Sequence, residues 1–345
     1  MSRGATVTVA GAGALGLSAA LALADAGCRV TVFDPAAPLA SASGVAAGML
    51  APVFEAVLDP EARPHFDLLM AARNLWPALE ARVGLTLDRS GALAVGSPGW
   101  LGAIDAELAR LGEHAAELPR AALEELAPGL SPVFGRALWT REDWRLDAAA
   151  ALSALRRACD AAGVAFRQEA ATGFMDAERL VVATGAGQGL ADLAPELAAL
   201  TPIKGHILRV GMSPTPAMTV RGEGVYVAGA DREAAVGATM EAGVDDPTPD
   251  PAQAEPLLLR GARLFPELRG AGHVLAAGVR AATPDSLPLV GPGRTPGVVL
   301  AVGARRNGWL LAPMAAGIVA ACVTERDPGP HAHRLAPGRF EAEGA

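Results

Sequence analysis

The pattern of apolar and polar positions predicts a β-α-β unit at the start of the chain. Residues 5–10 (ATVTVA) form a short apolar run rich in β-branched residues, typical of a buried strand. After a glycine-rich turn comes a segment of helical composition that stops at Gly27, a residue type that commonly ends helices. A second strand is predicted over 28–34 (CRVTVFD), and it ends in Asp34.

Glycines stand at fixed spacing where the first strand becomes the helix, in the run Gly11-Ala12-Gly13-Ala14-Leu15-Gly16. Gly11 permits a tight turn, Gly13 lets the backbone approach a pyrophosphate, and Gly16 lets the helix pack close to the strand. The helix N-terminus offers free N–H groups and a partial positive charge to phosphates, and Asp34 is placed to accept from ribose hydroxyls. A glycine-rich turn without a ligand is the alternative. The strand, the glycine spacing, the helix and Asp34 all match a dinucleotide-binding unit. We therefore predict that the chain binds a dinucleotide.

Later segments alternate helical and strand patterns in a different order. Helices are predicted over 64–83 (amphipathic), 147–162 and 309–324. A buried strand that ends in a glycine turn is predicted over 179–187 (RLVVATGAG). Antiparallel strands with Gly- and Asp-containing turns are predicted over 86–96 and 220–240. Antiparallel strands therefore interrupt the β-α-β pattern, which resumes later in the chain.

This order predicts an α/β fold with two domains. The first is a discontinuous Rossmann-type dinucleotide-binding domain, which we expect over 1–85, 145–200 and 272–345. The second is an α+β substrate domain with a mixed or antiparallel sheet, which we expect over 86–144 and 201–271. A chain of 345 residues is long enough for two such units.

Composition and charge narrow the class of protein. Apolar residues make up 51% and charged residues 19% of the chain, which is a globular composition. The net charge is −8 with no Lys/Arg-rich run, which argues against nucleic acid or an anionic membrane as partner. The apolar run from Leu310 to Val323 is too short to span a bilayer and contains a proline. We therefore expect a cytoplasmic protein without a membrane span.

The cysteines and histidines predict no metal site. Cys28, Cys159 and Cys322 are far apart and odd in number, so they suggest small buried thiols in a reducing compartment rather than ligands or disulfides. The six histidines are scattered and form no ligand pattern.

Four groups of segments, in order along the chain, resemble the D-amino-acid oxidase family of flavoproteins, and within it the glycine oxidases of the thiamin thiazole pathway. They are VAGAGALG (9–16) with Asp34; AAGMLAP (46–52); KGH (204–206), the Tyr226 hairpin and VGATM (236–240); and AGVRAATPDSLPLVG (277–291) with GARRNGWLLAP (303–313). The resemblance implies FAD as the cofactor.

The same resemblance implies further cofactor contacts beyond the glycine turn and Asp34. The strand that ends in Thr184 and Gly185 is similar to a second fingerprint near the adenosine half of FAD. The small-residue run Ala46, Ala47, Gly48 and Met49 resembles the segment beside the flavin ring, although an ordinary tight turn is the alternative. The last helix begins in a segment that faces the flavin pyrimidine in the family, here Arg306, Asn307, Gly308, Trp309 and Leu310.

For the substrate, the resemblance implies three catalytic residues. Arg280 follows an apolar strand, and a guanidinium can bind a carboxylate through two hydrogen bonds; a surface pair with Asp285 is the alternative. Tyr226, the only tyrosine, matches a residue whose hydroxyl donates to that carboxylate, although it could be packed for its ring alone. Arg306 matches an arginine on the substrate side of the flavin, and its neighbour Arg305 is expected to be solvated.

Some positions depart from the glycine oxidase pattern. A histidine and an aromatic residue usually precede the Arg-Asn-Gly segment, and here the positions hold Ala304 and Arg305. These changes surround the predicted pocket, so they leave the substrate side chain open.

We therefore predict oxidation of a small amino acid such as glycine or sarcosine, with oxygen as electron acceptor. One alternative is a D-amino-acid or imino-acid dehydrogenase with another acceptor. Others are the flavin module of a tRNA-modifying enzyme and a nicotinamide dehydrogenase. The sequence does not fix the oligomeric state, and a homo-oligomer is one possibility.

Overall fold

The computed structural model describes residues 4–37, 39–230 and 232–340. In chain order the strands are β1 (Thr6–Ala10), β2 (Arg29–Phe33), β3 (Met49–Leu50), β4 (Ala92–Ala94), β5 (Ala116–Pro119), β6 (Arg136–Thr140), β7 (Trp144–Arg145), β8 (Ala165–Arg167), β9 (Arg179–Val182), β10 (Thr201–Gly211), β11 (Thr219–Gly222), β12 (Val225–Ala230), β13 (Glu233–Gly237), β14 (Glu241–Ala242), β15 (His273–Ala282), β16 (Leu289–Pro292) and β17 (Val298–Val302). The helices are α1 (Ala14–Asp25), α2 (Ala42–Val45), α3 (Pro52–Leu58), α4 (Phe66–Asn74), α5 (Trp76–Val83), α6 (Pro98–Arg110), α7 (Arg120–Leu126), α8 (Ala148–Ala161), α9 (Ala254–Leu264), α10 (Gly308–Val323) and α11 (Ala332–Leu335).

A mostly parallel sheet contains the predicted β-α-β unit. Among the described residues its strand order is β16-β17-β9-β1-β2-β8, and only the β16–β17 pair is antiparallel. Helices α1, α8 and α10 contribute many of the apolar side chains packed against this sheet. The α/β fold with a Rossmann-type sheet is thereby confirmed.

A second, mixed sheet has the order β14-β10-β13-β12-β11-β4-β6-β5, and β15 pairs with β10. Most pairs are antiparallel, as expected for 220–240, but β4 runs parallel to β11. The turn between β12 and β13 includes Asp231, which lies outside the described residues. Apart from β15, the strands of the two sheets fall in the segments expected for the two domains. β15 (His273–Ala282) lies in the segment expected for the first domain but pairs with β10 of the second sheet, so the division stays a proposal. Residues 1–3 and 341–345 of that division also lie outside the described residues.

The helix predicted over 64–83 is wrong in part. The structure has a short 3-10 turn at Arg63–His65 and then two helices, α4 and α5, separated at Leu75. Pro77, near the start of α5, has no backbone N–H to continue the hydrogen-bond ladder, so the helix breaks there. Buried Trp76, the first residue of α5, donates from Nε1 to the carbonyl of Trp309 at 3.2 Å.

The thiols only partly follow the prediction. Cys159 is buried, and burial raises its pKa to about 12. Cys28, between α1 and β2, and Cys322, in the last turn of α10, are half-buried and pack against the edge of the core. No helix of the described residues is long and apolar enough to cross a bilayer.

Candidate active site

The glycine turn between β1 and α1 is held by close backbone contacts. Gly11 has φ +111°, and a methyl group there would overlap the carbonyl of Ala183. A methyl group at Gly16 would overlap the carbonyl of Gly11, so this glycine permits the close helix–strand packing. Helix α1 begins after Gly13, and its first N–H groups at Leu15 and Gly16 have no partners within the helix.

Asp34 fixes this turn from the end of β2. Its Oδ2 accepts from the N–H of Ala12 at 2.6 Å, and its Oδ1 accepts from the N–H of Ala36 at 2.8 Å. A carboxylate has about four lone-pair sites, so two bonds leave acceptor capacity for a ligand. Its role at the ribose remains a prediction.

A cleft of about 530 Å³ runs along the carboxyl ends of the parallel strands, and we call it the nucleotide cleft. Of the predicted cofactor residues, those that line it are Gly11, Gly13, Ala14, Leu15, Asp34, Ala46, Thr184, Gly185, Arg306, Gly308 and Trp309. The predicted residues Ala12, Gly16, Asn307 and Leu310 do not line it. Leu310 is fully buried in the core of the parallel-sheet domain. Free helix N–H groups, a carboxylate and glycine backbone are a donor and acceptor set that fits a dinucleotide such as FAD.

The sequence analysis missed a serine pair in this wall. Ser41 and Ser43 line the cleft, and Ser43 Oγ accepts from the N–H of Ala14 at 3.0 Å. A methyl group at Gly13 would lie 3.1 Å from the same Oγ, so the glycine leaves room for the serine. The signal in the sequence is weak, because a serine-rich stretch at 41–43 also reads as a loop.

A second cavity of about 320 Å³ adjoins the nucleotide cleft, and both are lined by Ala42, Ala46, Arg280, Arg306 and Trp309. We call it the arginine cavity. Its wall also holds the rest of the predicted small-residue run, Ala47, Gly48 and Met49. Gly48 has φ +74°, and a side chain there would overlap the carbonyl of Leu146, so the run is also required by packing.

Arg280 enters the arginine cavity from β15. Its guanidinium lies over Gly205 of β10, where a methyl group would overlap it, and Nη1 lies 3.2 Å from Met240 Sδ. The alternative pairing with Asp285 is wrong, because Arg339 binds that carboxylate at 2.7 and 2.8 Å. Burial lowers the pKa of the Arg280 guanidinium, and neighbouring Tyr226 opposes the shift.

Tyr226 reaches the cavity from β12, and its hydroxyl lies over Gly237 of β13. Burial raises the pKa of the phenol above its ordinary value, and the positive charge of Arg280 opposes that rise. The hydroxyl therefore stays protonated at neutral pH and can donate a hydrogen bond.

Arg306 and Arg305 are held by acidic residues of the α3 region. Arg306 Nη2 lies 3.2 Å from Glu55 Oε2, and Nη1 lies 3.3 Å from Asp59 Oδ2. Glu55, and then Asp59, raise the pKa of the Arg306 guanidinium. The expectation that Arg305 is solvated is wrong: its side chain is 12% exposed and pairs with Asp59 and with Glu61, the latter at 3.3 Å. Buried Asp59 needs a counter-charge, and Arg305 supplies it.

The acidic partners were missed, although their spacing gives a signal. Glu55 and Asp59 are four residues apart, which places them on one side of a helix. Arg221 was also missed, and it lines the arginine cavity. Among the described residues, no cluster of histidine, cysteine and acidic side chains could hold a metal ion.

Comparison with known proteins identifies a family and several relatives of this chain. A family model described as "DAO: FAD dependent oxidoreductase" matches residues 6–322. The bifunctional protein ThiO/ThiG of Trichormus variabilis is 30% identical over 98% of this chain and 55% of its own length. The glycine oxidase of Pseudomonas aeruginosa is 28% identical over 93% of this chain and 95% of its own.

Solved structures agree with the fold. The crystal structure of glycine oxidase from Geobacillus kaustophilus superposes with a TM-score of 0.81 and 24% identity, over 97% of this chain and 99% of that one. At that identity the likeness shows the fold alone. The chain spans about half the length of the bifunctional ThiO/ThiG relative.

Proposed function

Because the chain belongs to the DAO family of FAD-dependent oxidoreductases, we propose that it oxidises a small amino acid such as glycine or sarcosine, with oxygen as acceptor. The observation that carries the proposal is the arginine cavity. A guanidinium and a protonated hydroxyl meet there above two glycines, beside the small-residue run shared with the nucleotide cleft. Relatives named glycine oxidase and ThiO support the same substrate class.

The chain's own residues hold and orient the substrate. Arg280 pairs with its carboxylate, and the Tyr226 hydroxyl donates to the same group. Because Gly205 and Gly237 carry no side chains, both polar groups can lie close to the sheet and leave room for the substrate above them. Two anchors on one carboxylate fix the direction of the α-carbon C–H bond, which is the main requirement of a hydride transfer.

No acid–base pair is needed for this step when the substrate amine is neutral. The nucleotide cleft, lined by Gly11, Gly13 and Asp34, would hold FAD, which would supply a hydride acceptor and a route for two electrons to oxygen. Glycine, oxygen and water then give glyoxylate, ammonium and hydrogen peroxide. Arg306 lines both the nucleotide cleft and the arginine cavity, and it pairs with Glu55 and Asp59. Its positive charge favours electron-rich groups at this junction.

Two other functions remain as alternatives. A dehydrogenase of the same family would use the same carboxylate anchor but would pass its electrons to another acceptor. The flavin module of a tRNA-modifying enzyme is disfavoured, because a net charge of −8 opposes binding to a polyanion.

Anaerobic reduction of the bound flavin tests the proposal. Purified holoenzyme is mixed with glycine, sarcosine, D-alanine, D-proline or a bulky D-amino acid, and the flavin absorbance is followed. Bleaching by glycine or sarcosine is expected. Bleaching by the bulky amino acid alone would contradict the small-substrate proposal.

A further inference from the structure

Arg221 is a buried cation without a bonding partner in the described part of the chain. It lies on β11 at 4% exposure, and its Nε and Nη2 have no hydrogen-bond partners. Burial lowers the pKa of its guanidinium, and Glu55 and Asp143 oppose this from a distance, without forming ion pairs with it. A buried guanidinium with unused donors is costly to the fold, so an absent partner is indicated.

Arg221 also belongs to the wall of the arginine cavity. Cross-strand neighbours share a face of a sheet, and the registers pair Arg221 with Tyr226, Tyr226 with Gly237, and Gly237 with Ile207. Ile203, four residues before Ile207, is on the same face and pairs with Arg280. Arg221 and Arg280 therefore stand on one face, on opposite sides of the Tyr226 strand.

The two arginines differ in their burial and in the cavities that they line. Arg280 is half-buried and lines both the arginine cavity, where we place the substrate carboxylate, and the nucleotide cleft. Arg221 lines the arginine cavity but not the nucleotide cleft. The acids near it form no ion pair with Arg221: Asp143 accepts from the N–H groups of Val53 and Phe54 at 2.8 and 3.0 Å. Glu55 pairs with Arg306 through Oε2, and its buried Oε1 has no hydrogen-bond partner among the described residues.

We infer that Arg221 binds a second acidic group of the substrate, so that the preferred substrate is a small amine carrying two carboxylates. This rests on the proposed function, because the first carboxylate is the one held by Arg280. A guanidinium offers two parallel N–H donors, and a carboxylate matches them. The substrate class is a small secondary amine or amino acid that carries two carboxylates, and glycine fills only part of the site.

Inert carboxylates test this without turnover, because their binding perturbs the absorbance of the bound flavin. Malonate, succinate and glutarate are titrated into the holoenzyme. Each is compared with the monocarboxylate in which a methyl replaces one carboxylate: propionate, butyrate and pentanoate. We expect one dicarboxylate to bind roughly 10- to 100-fold tighter than its partner, as charged hydrogen bonds contribute.

The variant Arg221→Met keeps the apolar stem and removes the donors, and it should bring this ratio close to one. Arg221→Lys should lower it several-fold, and it serves if the methionine variant does not fold. Arg136→Met is the control, because Arg136 lies exposed on β6 of the same sheet. Ratios near one in the unaltered enzyme, or a ratio that Arg221→Met and Arg221→Lys leave unchanged, would overturn the inference. A failure of glycine to reduce the flavin would instead count against the proposed function.

Discussion

The guanidinium of Arg280 lies directly over Gly205 on the neighbouring strand. Gly205 pairs with Gly278 in the β10–β15 register, and any side chain at 205 would occupy the space of the Arg280 Nη2 and Cζ atoms. The glycine therefore sets how close to the sheet the carboxylate anchor can lie.

Gly205→Ala should weaken substrate binding while FAD stays bound. The added methyl displaces the flexible end of Arg280, and losing one charged hydrogen bond to the substrate costs about 1.5–3 kcal/mol, so KM should rise roughly tenfold or more. Steady-state kinetics and the flavin-to-protein absorbance ratio measure the two effects. Gly211→Ala is the matched control, because Gly211 ends the same strand with open space around it. Equal KM values for the two variants would show that the position of Arg280 does not depend on Gly205.

Arg280→Ala should cost substrate affinity far more than it costs FAD binding. Removing one partner of a buried charge pair costs about 3–5 kcal/mol, which is at least a hundredfold in KM. Arg280→Lys should recover only part of the loss, because an ammonium cannot form the two parallel hydrogen bonds. An unchanged KM in the alanine variant would assign the carboxylate to another group such as Arg306.

The parts of the site formed by local sequence were predictable. The glycine turn and Asp34 lie within one β-α-β unit, and their spacing alone specifies the backbone that the structure shows. The break near Pro77 was missed because the apolar period of 64–83 continues through it, although the proline was visible.

Partners distant in the chain were not predictable. Arg305 was expected in solvent, and its acidic partner Asp59 is 246 residues away. The two-residue turn Glu223-Gly224 could have paired Arg221 with Tyr226 from the sequence. That Arg221 has no bonding partner among the described residues could be learned only from the packed structure.

Asp34→Ala should lower FAD retention. The change removes the acceptor that fixes the N–H of Ala12 and, by prediction, a ribose contact, so FAD affinity should fall roughly tenfold or more. Flavin content after gel filtration measures this, and acid release from the unaltered protein should yield FAD rather than FMN. Asp25→Asn, at the exposed end of α1, should keep its flavin. Full flavin content in Asp34→Ala would contradict the role of Asp34.

Asp143 should make stability fall between about pH 4 and pH 6. Burial raises the pKa of this carboxyl from 3.8 to about 6. In that interval the folded protein keeps a proton that the unfolded chain has released, so this group's contribution to stability decreases as pH rises. Thermal unfolding of the unaltered protein and of Asp143→Asn, compared at several pH values, isolates the effect. A difference in Tm that stays constant from pH 4 to pH 7 would exclude a raised pKa.

Oxygen uptake by the holoenzyme tests the central proposal most directly. An oxygen electrode compares glycine, sarcosine, D-alanine, D-proline and a bulky D-amino acid, with hydrogen peroxide measured in the same samples. We expect glycine or sarcosine to consume oxygen and to form one peroxide per oxygen. Turnover of the bulky amino acid alone, or substrate oxidation without peroxide, would contradict the small-amino-acid oxidase.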